Sequence, residues 1–290
     1  MVTMSNGESP LASRRRLRTE LRAARLRQGL TQDQVAQTMN WSSSKMNRIE
    51  KARSSIGVDD LSALLRMYGI TDGEQAEDLF ALARAAGQSP WWQRYSDVAP
   101  AALLELIDYE SMASAVNQFE IIFVPGILQT AEYAREVLRV FYDETSAAER
   151  LAALVDLRAS RWDLLASENA PKFSFVLDES VIRRPVGNRS ITSRQLRHLI
   201  SVAELPDVTI QIVPFAVGLH PGMKGPFEVI RFDDTPDENV VFLESPRDDF
   251  ISHAPEETRN YLEAFRHITQ TALGPSDSVG RMRAAAAEMD

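Results

Sequence analysis

Between residues 13 and 87, apolar residues recur at helical spacing, and the interruptions carry cap and turn residues. The spacing predicts a helix over 14–28, capped by Ser13, with Leu17, Leu21 and Ala24 inward and Gly29 as a left-handed stop. Thr31 caps a second helix, and Gln34, three residues on, completes a capping box. Val35, Ala36 and Met39 form its inner face. Asn40-Trp41 interrupts, Ser42 caps a third helix, and Met46 and Ile49 point inward from it. Gly57-Val58 leads into a fourth helix that ends at Gly69. Asp72 opens a fifth through Leu79, Leu82 and Ala86, stopped by Gly87. Residues 13–87 therefore read as an all-α five-helix domain, preceded by a flexible N-terminus at 1–12.

Ser89-Pro90-Trp91-Trp92 breaks this rhythm and marks a linker over 88–97, with the tryptophan pair docking it. From 98 to 273 both periods occur. A helix is expected over 99–118 (Leu103, Leu106, Ile107, Met112, Val116), followed by a short apolar segment at 120–124 and a turn at Pro125-Gly126. A helix from Ile127 through Phe141 and a long one over 145–167 follow. Strand patterns stand at 172–177, 208–213, 227–232 and 240–244, the last two flanking a polar loop as a hairpin. Helices are expected over 190–203 and 255–272. The second domain reads as α+β, with helices covering a sheet of about four strands. Residues 274–290 read as a C-terminal tail with at most a short helix.

Charge sharpens this division. The 290-residue chain carries a formal charge of −9. Residues 1–69 hold 12 Lys+Arg against 6 Asp+Glu, a local net of +6, and seven of these cations fall between Arg14 and Arg27. The rest carries −15. A basic module on an acidic body is the asymmetry expected when one domain meets a polyanion. The absence of cysteine excludes disulfides, thiolate metal sites and thiol catalysis. No apolar run approaches the ~18 residues of a membrane span, and no secretory pattern opens the chain, so a cytoplasmic protein is expected.

The second and third helices have helix-turn-helix spacing. Such a crossing needs a small residue where the helices meet, supplied by Ala36, and a turn residue that tolerates positive φ, supplied by Asn40. With its Gly-Leu-Thr-Gln entry and Arg-Ile-Glu on the third helix, the segment 14–70 resembles the DNA-binding domain of the phage-repressor-like, xenobiotic-response-element family of transcriptional regulators. Asn40 stands where many members have Gly. Lys51-Ala52 departs from the common pattern, so a different loop is expected there. The resemblance implies a third helix in the major groove of double-stranded DNA, with Ser43, Ser44, Lys45 and Arg48 outward. Lys45 and Arg48 then reach guanine edges. Gln32, at a helix N-terminus, contacts phosphate, and Arg14, Arg15, Arg16 and Arg18 contact the backbone and release counterions. Glu50 is read as structural, a partner for an arginine of the first helix. A homodimer is expected, because paired half-sites are read by two-fold proteins.

The phrases Val124-Pro125-Gly126-Ile127-Leu128-Gln129-Thr130, Val176-Leu177-Asp178-Glu179-Ser180 and Ile210-Gln211-Ile212-Val213-Pro214 are similar to an uncharacterised C-terminal domain of actinobacterial regulators carrying the same N-terminal module. These regulators are described as antitoxin-like and often accompany a very small partner protein. The resemblance implies a signal-receiving domain, or a domain that sequesters such a partner, and it brings no catalytic residues.

The residues themselves offer little catalysis. His198, His220, His253 and His267 are widely spaced and form no zinc motif. Asp178-Glu179 is expected to cap the next turn and pair with Arg183-Arg184 rather than to perform acid–base work. The Gly-rich stretch 218–226 lacks the Gly-Lys-Ser/Thr of a phosphate loop. No cofactor, metal or enzymatic activity is expected. Pro125, Gly126, His220 and Gly222 are the candidates for a sensing pocket.

Overall fold

The computed structural model describes residues 10–50, 56–71, 73–142, 147–167, 170–232, 236–244 and 249–290. Its contacts divide the chain into two units, Met1–Gln93 and Arg94–Asp290.

The first unit contains α1 (Pro10–Arg27), α2 (Gln32–Thr38), α3 (Ser43–Glu50), α4 (Val58–Met67) and α5 (Glu74–Ala86). One core joins them, built from Leu17, Leu21, Val35, Met46, Ile49, Leu61, Leu64 and Leu79. Burying each such side chain contributes roughly 1.5–3 kcal/mol. The expected start of α1 is corrected. The helix begins at Pro10, where the missing N–H costs nothing, and Ser13 is buried inside it instead of capping it. α5 begins at Glu74, after Gly73 at φ 99°. Asp72 and the Lys51-Ala52 loop lie outside the described residues.

The second unit begins with α6 (Ala101–Met112), β1 (Ala115–Glu120), α7 (Ala131–Arg139), α8 (Ala148–Ser160) and α9 (Trp162–Leu165). Then come β2 (Lys172–Asp178), α10 (Glu179–Arg183), α11 (Arg189–Val202) and β3 (Val208–Val213). β4 (Phe227–Arg231), β5 (Val240–Leu243), β6 (Phe250–Ser252), α12 (Pro255–Thr271) and α13 (Pro275–Met289) complete it. The strands form one six-stranded sheet in the order β3-β2-β1-β4-β5-β6. β1, β2 and β3 run parallel, whereas β4 pairs antiparallel with β1, β5 with β4 and β6 with β5.

Side chains alternate across this sheet. Val116, Phe173, Phe175, Ile210, Ile230 and Phe242 enter one core with Leu106, Leu196 and Met282. Phe119, Val176, Val229 and Val241 enter another with Phe265 and Ile268 of α12. Among the described residues, no helix is long and apolar enough to cross a membrane.

Three expectations for this unit are corrected. The helix predicted over 99–118 stops at Met112, because Ala113 turns extended (φ −67°, ψ 151°), and Val116 belongs to β1. β1 and the short β6 raise the sheet from about four strands to six. β1 was hidden because Asn117, Gln118 and Glu120 break its apolar pattern, although Gln118 and Glu120 are buried. The expected tail is α13, which lies against α11 and β3 with Met282, Ala285, Ala286 and Met289 buried. Two boundaries also move. Thr130 caps α7 after a short 3-10 turn at Gly126–Leu128, and the long helix breaks at Arg161 into α8 and α9.

Candidate nucleic-acid interface

The crossing of α2 and α3 is built locally. Thr31 accepts from the Gln34 amide at 3.2 Å, and the Gln34 side chain accepts from the Thr31 amide at 2.8 Å, closing the capping box. Asn40 takes φ 54°, the only positive value at a non-glycine among the described residues. The Trp41 amide can then donate to the Ala36 carbonyl at 2.8 Å. Ala36 is buried where the two helices meet. Ser42 Oγ accepts from the Lys45 amide at 3.1 Å and so caps α3.

A buried charge network locks this geometry. Arg25 Nε and Nη2 of α1 donate to the two oxygens of Glu50 at 2.6 and 3.0 Å. Arg25 Nη1 donates to the Leu30 carbonyl at 2.6 Å. Gln32 Nε2 donates to Glu50 Oε2, also at 2.6 Å. The bond to Glu50 raises the Arg25 pKa despite burial. Three helices are pinned at one carboxylate; the arginine partner from α1 was expected for Glu50, the Gln32 bond was not.

Of the expected recognition residues, Ser44 and Arg48 are exposed on α3. Ser43, also exposed, donates to Asp33 Oδ1 at 2.9 Å. Lys45 is half-buried: its Nζ lies 2.7 Å from Asp60 Oδ2 and 4.2 Å from the centre of the Trp41 ring. Gln32 sits at the start of α2 with its amide turned to Glu50.

The arginine run divides. Arg16 is exposed, and the Arg15 side chain lies outside the described residues. Arg14 instead donates to the Ala86 carbonyl at 2.9 Å, closing the C-terminus of α5, and Arg18 is buried. Both therefore turn away from the expected backbone contacts. The reason is helical phase: positions 14, 18, 21 and 25 fall on one stripe, and α1 lays that stripe against the core. That 4-3-4 spacing was the available signal.

The expected sensing residues do not form one pocket. Pro125 is buried, and Gly126 lies beside α8: a Cβ added there would stand 3.3 Å from Arg161 Nη1. Gln129 ties this turn by donating to the Val124 carbonyl at 2.8 Å while accepting from Arg158 Nη1, also at 2.8 Å. His220 and Gly222 instead pack on Phe119, which points to the opposite face of the sheet. His220 Nε2 stands 3.5 Å from Asp178 Oδ2. A side chain at Gly222 would strike the Phe119 ring, so the loop needs glycine to come this close.

Asp178 Oδ1 accepts from the Ser180 amide at 2.8 Å, and Glu179 pairs with Arg183 at 3.1 Å and Arg281 at 2.9 Å. Burial opposes the Glu179 charge, but the Phe215 amide and the two arginines hold its carboxyl below the ordinary range. The expected capping by Asp178 and the Glu179–Arg183 pair are present, and the second arginine on Glu179 is Arg281 of α13 rather than Arg184.

Sequence reasoning missed one group of polar residues. Glu110, Gln118, Glu120, Arg161 and Glu228 are all buried in the second unit. Their only sequence signal is a charged or amide residue interrupting an apolar segment.

A short helix crossing a second through a positive-φ turn, with the outer face of the second helix polar, defines a helix-turn-helix DNA-binding domain. The family model described as a helix-turn-helix domain matches residues 16–79. The chain belongs to the DUF5753 family, a domain of unknown function whose model matches residues 103–284. No curated protein and no solved structure matches the chain.

Proposed function

We propose that this protein is a sequence-specific transcriptional regulator of the phage-repressor-like class, acting in the cytoplasm as a homodimer without catalytic activity. Its second unit receives the signal. The observation that carries the DNA reading is the outer face of α3, where Ser44, Lys45 and Arg48 lie on a helix fixed by the Arg25–Glu50–Gln32 network. Arg48 reaches a guanine edge directly. Lys45 exchanges Asp60 for DNA, an exchange that costs little because both partners are partly solvated. One small module buries too little surface to select a genomic site, so two copies read paired half-sites about one helical turn apart.

Genomic footprinting in the native cells tests this, with the Lys45→Ala/Arg48→Ala double variant as control. Discrete peaks are expected for the wild type and their loss in the variant, since each base contact is worth about 1–3 kcal/mol of discrimination. Identical peaks in both would remove α3 from the groove.

A further inference from the structure

The outer face of α3 divides by hydrogen-bonding sense. Lys45 and Arg48 carry N–H donors and no acceptor. At the start of the helix the situation is reversed. Ser43 Oγ donates to Asp33 Oδ1 at 2.9 Å. Asp33 stands in the first turn of α2, and both it and Ser43 are exposed. The two residues are 10 apart in the chain and meet because α2 and α3 cross.

A serine hydroxyl has one donor and two acceptor lone pairs, and it normally rotates to suit its surroundings. Here the donor is committed to Asp33. What remains at Ser43 is acceptor capacity, and the Asp33 carboxylate adds acceptors only. Among the described residues, no lysine, arginine or histidine pairs with Asp33. Asp60, the other acid that reaches α3, is instead occupied by Lys45 at 2.7 Å. The corner at Asp33 and Ser43 therefore offers oxygen lone pairs and no N–H or O–H.

Base edges in the major groove answer this pattern unequally. Cytosine presents its N4 amino group and no acceptor of its own. Adenine presents N6 beside the N7 acceptor, guanine presents N7 and O6, and thymine presents O4. An acceptor set against an acceptor leaves both desolvated and unpaired, which is the costly case. Guanine and thymine are therefore rejected by this corner, and adenine is disfavoured where the carboxylate approaches N7. Cytosine alone supplies a donor without a competing acceptor.

We propose that Asp33 and Ser43 form a cytosine-reading corner, whose oxygens accept the N4–H that Watson–Crick pairing leaves free, while Lys45 and Arg48 read guanine further along the groove. Asp33 acts here in two ways. It fixes the Ser43 hydroxyl as an acceptor, and it holds a negative charge at a polyanion, which lowers affinity for every sequence except where an N4–H meets it. The inference rests on the reading of α3 as the recognition helix.

Selection from a random duplex library by the full-length protein tests this, followed by affinities for single-base variants of the selected site at fixed salt. The wild type is expected to select a cytosine whose replacement by guanine or thymine weakens binding about tenfold or more. Asp33→Asn is nearly isosteric and adds N–H donors to the corner. It should make the bases at that position nearly equivalent, leave the guanine positions unchanged and bind unrelated duplexes more tightly. Ser43→Ala keeps the carboxylate and should weaken the same preference part way. Both residues are exposed, so neither change touches the core. A contact that only braces α2 against α3 would instead alter affinity at all positions alike. Asp33→Asn with wild-type preferences at every position would overturn the corner. If those preferences were still lost in Lys45→Ala/Arg48→Ala, α3 would keep its place in the groove without it. Absence of any selected sequence for the wild type would remove the DNA reading itself, and the corner with it.

Discussion

Each unit of this chain buries an arginine against a glutamate at 2.6 Å, yet the two pairs are finished differently. In the first unit, Arg25 uses Nε, Nη1 and Nη2, and both oxygens of Glu50 are engaged, one of them twice. In the second, Arg161 Nε has no partner, and Glu110 bonds both Arg161 and a second buried acid, Glu228, whose carboxyl is raised well above the ordinary range. The difference separates two uses of buried charge. A completed network fixes geometry, here the angle at which α3 is presented. One that sets two buried acids against each other makes the fold sensitive to pH instead. Buried ion pairs are weak evidence for stability in either case, because desolvation offsets much of the attraction.

The largest effect should come from breaking the completed network. Glu50→Ala leaves Arg25 buried without its counter-charge and releases Gln32. The expected loss is about 3–5 kcal/mol, read from the denaturant midpoint of the first unit's transition. A loss below about 1 kcal/mol would mean that water reaches Arg25 and that the two networks are less different than their bonding suggests.

The incomplete network should respond in the opposite direction. Burial and Glu110 raise Glu228 well above 4.5, so the folded chain holds a proton that the unfolded chain has released. This stabilisation is fully present below pH 4.5 and is lost as pH rises toward the raised folded value. Glu228→Gln removes that titration. Around neutral pH the variant should be more stable than wild type by on the order of 1–3 kcal/mol, because folding wild type there must take up a proton or bury a charged carboxylate. The advantage should shrink on acidification, and a gap independent of pH between about 4 and 8 would contradict the assignment.

What could be read from the sequence follows the same divide. The first unit is assembled from near neighbours: Thr31 with Gln34, Ser42 with the Lys45 amide, Gly29 at φ 67° after α1. Such signals lie within a few residues of one another, so helix order, inner faces and the role of Glu50 were legible. Arg14 and Arg18 were misread because a run of cations drew attention from their helical phase. In the second unit the informative partners are remote. β1 is defined by β2 and β4, and α13 by α11 and β3, none of which local periodicity reports. Gln118 and Glu120 made β1 look unlike a buried strand, so the strand and its charged cluster were missed together.

The smallest effect isolates local backbone fit from both networks. Asn40 holds φ 54° between α2 and α3 and is itself exposed. Its cost lies in conformation rather than in contacts. Left-handed backbone disfavours a side chain with a Cβ by roughly 1–2 kcal/mol, less for asparagine, and glycine is free of that penalty. Asn40→Ala should therefore lower the stability of the first unit by about 1 kcal/mol, whereas Asn40→Gly should match or slightly exceed wild type. Equilibrium unfolding of the three proteins separates these outcomes. Equal losses in both variants would show that the Asn40 side chain matters through a hydrogen bond. The turn would then join the Arg25–Glu50 network as a case of polar side chains setting the crossing, instead of backbone conformation doing so alone.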